Sequence, residues 1–196
     1  MLQHFAAYIT LGPTMQRTLA TARLVLRPFN LADAASVQRL AGDARIARGT
    51  TAVPHPYADS VAEAWIGGQS AAYDTRREIV FAVVERQSEA VVGAVSLLNI
   101  SARHARAELG FWIGVAFWSQ GFCSEAVREV VRFGQDDLQI TKFVGRCLAW
   151  NSASAAVMRK AGFELEGRLI KQELREGMYV DQLVFGLVLP GRDSET

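Results

Sequence analysis

Apolar and polar residues alternate through RLVLRPF (Arg23–Phe29), and Pro28 closes the run, so the pattern predicts a strand. Asn30 caps a predicted helix, LADAASVQRLAG, whose Leu31, Ala34, Ala35 and Leu40 fall near one face before Gly42 ends it. TTAVPHPYADS carries Pro54 and Pro56 and reads as a rigid loop. Asp59 or Ser60 caps the next predicted helix, VAEAWIGGQSAAYDT, with Gly67 and Gly68 weakening its middle. Three apolar runs then predict strands over Glu78–Arg86, Ala90–Ser101 and Arg106–Val115. The link QSE is short enough to make the first two a hairpin. In SEAVREVVRFGQDDL the apolar Ala126, Val127, Val130, Val131 and Phe133 recur at helical spacing, while Arg128, Glu129 and Arg132 are polar. A strand over Lys142–Trp150 follows. NSASAAVMRKAGF then predicts a helix capped at Asn151 or Ser152 and stopped by Gly162. Two final strands join around Arg175-Glu176-Gly177. With no repeat, low-complexity tract or linker, the order predicts one α+β domain with a mostly antiparallel sheet.

Composition narrows the function classes. The chain has 196 residues, 50% apolar and 21% charged, enough for a substantial core and outside the disordered classes. A formal net charge of +1 does not favour nucleic acid as the main partner. Two cysteines, Cys123 and Cys147, make no disulfide framework and read as buried thiols in a reducing, cytoplasmic setting. No apolar run reaches the ~18–20 residues of a membrane helix, so no membrane partner is expected. Residues 1–17 lack a signal-peptide pattern and read as an N-terminal extension, with Met15 a possible alternative start. The domain is expected over 18–190, with a tail at 191–196.

One junction carries chemistry. WSQGFCSEAV (Trp118–Val127) is a polar, Gly-containing turn that opens directly onto a helix. A helix N-terminus has unpartnered N–H groups and about half a positive charge. Gly121 allows close approach, and Cys123 and Ser124 are small, so the turn suits a phosphate or pyrophosphate; an ordinary turn is the plainer alternative. Neither G-x-x-x-x-G-K-[ST] nor G-x-G-x-x-G is present. His4, His55 and His104 have no metal-ligand spacing, and no metal is expected. A thiol at a helix start can have a lowered pKa, so Cys123, paired with His104 if the fold brings the two together, defines a rival thiol-enzyme reading.

The order of these pieces is similar to the GNAT superfamily of acetyl-CoA-dependent N-acetyltransferases, in particular to its RimJ/RimL-type branch. The opening T-x-R-L-x-L-R-P-F stands at Thr21–Phe29. AELGFWIGVAFWSQGFCSEAV follows, then N-x-x-S-x-x-x-x-x-K-x-G-F at Asn151, Ser154, Lys160, Gly162 and Phe163. The pyrophosphate loop Q/R-x-x-G-x-G/A falls on Trp118, Gly121 and Cys123, the last a departure to another small residue. The resemblance spans roughly Thr21–Leu189. It implies a mixed, mostly antiparallel twisted sheet of about seven strands, flanked by helices and splayed between two parallel strands. It also implies acetyl-CoA bound by Trp118, Ser119, Gln120, Gly121, Phe122, Cys123 and Ser124 at the pyrophosphate, and by Trp112, Ile113 and Asn151 along the pantetheine arm. A homodimer would suit the branch.

Amide formation from a thioester needs a neutral amine, a stabilised oxyanion and a proton for the leaving thiolate. Glu108, where this branch often carries Glu, is the candidate base or ammonium-binding group; a solvated strand-end carboxylate is the bland alternative. Ser154 is the candidate acid near the sulfur, since the helix from Asn151 to Phe163 holds no Tyr. Asn151 and Ser154 also suit plain helix capping. Asp181 stands at an acidic position of the branch, its role open. The expected activity is transfer of an acetyl group to a primary amine, on a protein N-terminus or a small molecule. A non-catalytic acyl-CoA-binding or sensor protein of the same fold is the alternative.

Overall fold

Eight strands form one sheet in the computed structural model, which describes residues 16–175 and 177–191. They are β1 (Leu19–Ala20), β2 (Leu24–Arg27), β3 (Ile79–Glu85), β4 (Val91–Ser101), β5 (Arg106–Ile113), β6 (Lys142–Leu148), β7 (Glu164–Arg175) and β8 (Met178–Val188), in the order β1-β2-β3-β4-β5-β6-β8-β7. Neighbours are antiparallel except β5 and β6. The strand beyond the expected seven is β1, whose two residues are too few to leave a periodic signal.

Among the described residues, six α-helices flank the sheet: α1 (Ala34–Ala41), α2 (Ala44–Gly49), α3 (Val61–Gly67), α4 (Gln69–Asp74), α5 (Phe122–Leu138) and α6 (Ser152–Lys160). The helix expected from Leu31 begins instead as a 3-10 turn at Leu31–Asp33. The one expected from Val61 is broken at Gly68 into α3 and α4. α2 has no counterpart in the sequence reading: it is six residues long and buries only Ile46 and Ala47. Gln16 donates to the Val80 carbonyl (2.8 Å) and Arg17 pairs with Asp137, so this end of the expected extension rests on the domain. The rest of the extension, with Met15, and all but Gly191 of the expected tail lie outside the described residues.

Because helices cover both faces of the central strands, β3 and β4 read as continuous apolar runs rather than alternating ones. On one face Phe81, Val83, Leu97 and Leu109 pack with Phe122, Val127, Val130 and Phe133 of α5. On the other, Ala34, Val37 and Ala41 of α1 and Ala62 and Ile66 of α3 enclose a smaller core against Trp65 and Trp112.

The opening motif makes two polar ties. One joins β2 to the start of α1. Arg27 makes a two-pronged bond to Asp33 (2.7 and 2.8 Å), and the Asn30 N–H donates to the same carboxylate (2.9 Å). Burial pushes the Asp33 carboxyl up, but the bonds from Arg27 and Asn30 outweigh it and hold it below its ordinary 3.8. A carboxyl lowered in the folded state contributes stability above its unfolded pKa, and that contribution is lost as pH falls through the folded value. Arg27→Ala strands a buried charge, so denaturant unfolding at pH 7 is expected to show a loss on the order of 3 kcal/mol. At pH 3 and below, the difference between the two proteins narrows.

The parallel β5–β6 ladder runs from Arg106↔Lys142 to Leu109↔Gly145 and stops there. Both strands continue on their outer sides, β5 to Ile113 opposite Gly93 and β6 to Leu148 opposite Gln182. A wedge therefore opens between them. Gly114 N–H donates to Val92 O, which fixes the alternation: Glu108, Gly110 and Trp112 exchange main-chain bonds with β4, while Phe111 and Ile113 face the wedge. By the same rule Ala149 bonds Asp181 across β8, leaving the Leu148 N–H on the wedge side.

Candidate active site

At the wide end of the wedge the chain leaves β5, makes a short 3-10 turn at Val115–Phe117 and enters α5. Ser119 (φ +61) and Gly121 (φ +81) are both left-handed, which turns successive N–H groups to one side. The first bond inside α5 runs from Glu125 N–H to Gly121 O (3.1 Å). Among the described residues, no acceptor meets the N–H groups of Ser119, Gln120, Gly121, Phe122, Cys123 or Ser124. Six unpartnered donors at a helix N-terminus form a nest suited to an anion carrying several oxygens. Trp118 differs from its neighbours: its N–H is bonded to Val115 O (3.2 Å) and its indole donates to Ile113 O (2.6 Å), which ties the turn to the end of β5.

The second polar tie supports this nest. Glu125 accepts from Thr21 Oγ1 (2.5 Å), from Arg23 N–H (3.0 Å) and from Arg23 Nε (2.8 Å). Arg23 also donates to Gln120 O (2.9 Å) and lies 4.8 Å from the Phe122 ring centre. Burial raises the Glu125 carboxyl, but the bonds from Thr21 and Arg23 more than offset that and leave it lowered. Sequence reasoning noted Thr21 and Arg23 as a motif and missed their partner, because about a hundred residues separate Glu125 from both.

On the far side of the wedge lies a cavity of about 430 Å³. Val37, Tyr57, Trp65, Val80, Leu98 and Trp112 supply much of its apolar wall, and Glu78, Glu108, Arg146 and Ser154 are among its polar groups. Burial, with the charge of Glu63 second, raises the Tyr57 phenol. Glu108 accepts from Asn99 Nδ2 (3.2 Å) and stands 3.4 Å from Arg146 Nε, so its position is fixed from both neighbouring strands. Trp112 lends the cavity its side chain, its main chain being bonded to β4. Ile113 is buried in the core and offers the wedge its N–H alone. Phe111, absent from the sequence candidates, presents main-chain groups to the wedge; only the strand register reveals it.

Asn151 caps α6, accepting the Ser154 N–H on Oδ1 (2.9 Å), and its Nδ2 donates to Gly49 O (2.8 Å). The side chain thus clamps α2 to α6 and keeps one N–H and one lone pair uncommitted. Ser154 lies in the first turn of α6 and lines the cavity, as do Cys147 and Leu148. Asp181 holds the β7 hairpin, accepting from Arg168 Nε (2.6 Å) and from the N–H of Lys171, which has φ +52.

The thiol-enzyme reading does not survive. Burial pushes the Cys123 thiol up to about 12, the reverse of the lowering its helix-start position suggested, because the side chain packs onto the α5 core. His104 precedes β5 and Cys123 follows it, so a strand of roughly 26 Å separates them. Both cysteines are free, and burial raises Cys147 to about 11. No group of His, Cys, Asp and Glu able to hold a metal occurs among the described residues, and His4 lies outside them. No helix among them is long and apolar enough to cross a membrane.

Residues 23–164 match the acetyltransferase (GNAT) domain family, and the chain belongs to that family, whose acyl donor is acetyl-CoA. Its relatives carry N-acetyltransferase names: it is 29% identical over 121 residues to the uncharacterized N-acetyltransferase YoaA of Bacillus subtilis, covering 62% of this chain and 68% of that protein. It is 25% identical over 103 residues to the ribosomal-protein-serine acetyltransferase of Escherichia coli, covering 53% and 58%. Two solved structures share the fold. RimL, the ribosomal L7/L12 α-N-protein acetyltransferase solved with coenzyme A, superposes with a TM-score of 0.81 at 19% identity over 88% of this chain and 98% of its own. The microcin C7 self-immunity acetyltransferase MccE, solved with acetyl-CoA and AMP, gives 0.78 at 21% identity over 86% and 94%.

Proposed function

We propose that the chain transfers the acetyl group of acetyl-CoA to a primary amine, on a protein N-terminus or a small molecule, by direct attack on the thioester. The observation that carries this reading is the continuity of three features: a six-donor nest, an unzipped pair of parallel strands, and a cavity lined by the Glu108 carboxylate. The donor pyrophosphate would sit on the amides from Ser119 to Ser124. The pantetheine arm would run through the wedge, with Phe111, Ile113 and Leu148 as main-chain partners. Its thioester would then face the cavity between Glu108 and Ser154.

In the transfer, the amine lone pair forms the N–C bond as the C–S bond breaks. The proton lost by nitrogen goes to Glu108, directly or through water, and the leaving thiolate takes a proton from Ser154 or from water. An α-amine of pKa ~8 needs less help than a lysine amine of ~10.4. The test is coenzyme A release from acetyl-CoA, with mass analysis of the amine. Release that depends on a primary amine and yields the N-acetyl product supports the reading. Tight acetyl-CoA binding without release to any amine would mark a non-catalytic acyl-CoA-binding protein.

A further inference from the structure

We infer that Glu78 is a specificity-determining residue and that the acceptor carries a second cationic nitrogen, separated from the acetylated amine by an apolar spacer; this rests on the acetyltransferase reading above. Glu78 immediately precedes β3, whose Ile79 pairs with Leu97, so it falls beside Leu98, which pairs in turn with Glu108. Residues opposite one another in a sheet share a face. Glu78, Leu98 and Glu108 therefore lie in a row on the cavity floor, as their common place in its lining bears out. The two carboxylates stand two strand spacings apart, about 9.5 Å between backbones, with an apolar leucine between them.

The two carboxylates differ in what they already hold. Glu108 is engaged by Arg146 and Asn99. Glu78 is half-buried and has no hydrogen bond or ion pair among the described residues; Arg76 and Arg77 beside it are exposed. A partly buried carboxylate without a partner favours a cation, and a charge-assisted bond is among the stronger polar contacts. The surrounding Val80, Leu98 and Trp112 would cover a hydrocarbon spacer. The nitrogen beside Glu108 loses its proton and is acetylated, while the nitrogen beside Glu78 keeps its proton and holds the substrate in place.

The test compares hexamethylenediamine with hexylamine, equal in chain and different in the second ammonium, in the wild type, Glu78→Gln and Glu78→Asp. The wild type is expected to favour the diamine in kcat/KM by about tenfold or more. Glu78→Gln is expected to raise the diamine KM by a similar factor with kcat kept, so that the preference for the diamine over hexylamine collapses, and Glu78→Asp to restore part of that preference. Hexylamine turnover reports that the variant is folded. Equal use of both amines by the wild type, or a Glu78→Gln change that affects both alike, would overturn the inference and leave the acetyltransferase reading standing. Failure to acetylate any primary amine would remove the reading itself.

Discussion

Gly121→Trp is expected to weaken acetyl-CoA binding by at least about a hundredfold, since two charge-assisted bonds of roughly 1.5–3 kcal/mol each account for that factor. Gly121 has φ +81, a conformation that costs a residue with a Cβ, and a Cβ built there would lie 3.3 Å from Arg23 Nη2. The substitution thus strains the turn, disturbs the Arg23–Glu125 tie and puts an indole beside the six donors. Because the turn lies at the surface of α5's N-terminus, the sheet and the α5 core should persist. Calorimetry with acetyl-CoA, beside a thermal melt, checks both halves. Unchanged affinity in a folded variant would place the pyrophosphate elsewhere.

Glu108→Gln is expected to lower kcat/KM for the amine by about 10²–10⁴, the range for removing a positioned general base, with acetyl-CoA affinity kept. The loss should shrink as pH approaches the acceptor's own pKa, ~8 for an α-amine or ~10.4 for a lysine-like amine, because the amine then supplies its own neutral form. A pH profile of both proteins distinguishes this from damage to packing, which would lower the rate by the same factor at every pH. Gln can still accept from Asn99 but cannot pair with Arg146, so acetyl-CoA affinity serves as the check that the wedge is intact.

The sequence made the local elements legible because their patterns are local. The amphipathic spacing in α5, the alternation in β2 and the capping Asn151 each lie within a few residues of what they determine. The anion nest was legible for the same reason, as a glycine turn running into a helix. What escaped depends on register or on distant partners. Phe111 became a wedge residue only once Gly114 was seen bonded to Val92, a fact about phase that composition does not carry. Glu78 acquired meaning only when Leu98 placed it in line with Glu108 across three strands. α2 is too short for periodicity, yet it supplies the Gly49 carbonyl that the Asn151 side chain grips. The rival reading of Cys123 fails because a helix start lowers a thiol's pKa only if burial does not dominate, and here it does.

The central claim is the path of the donor, from the amides of Ser119–Ser124 through the wedge to the cavity. Backbone amide resonances of the labelled protein, followed by NMR as acetyl-CoA is added, test it most directly. The account expects the largest shifts at Ser119 to Ser124, then at Phe111, Ile113 and Leu148, saturating together. Shifts confined to other surfaces, or none at millimolar acetyl-CoA, would contradict it.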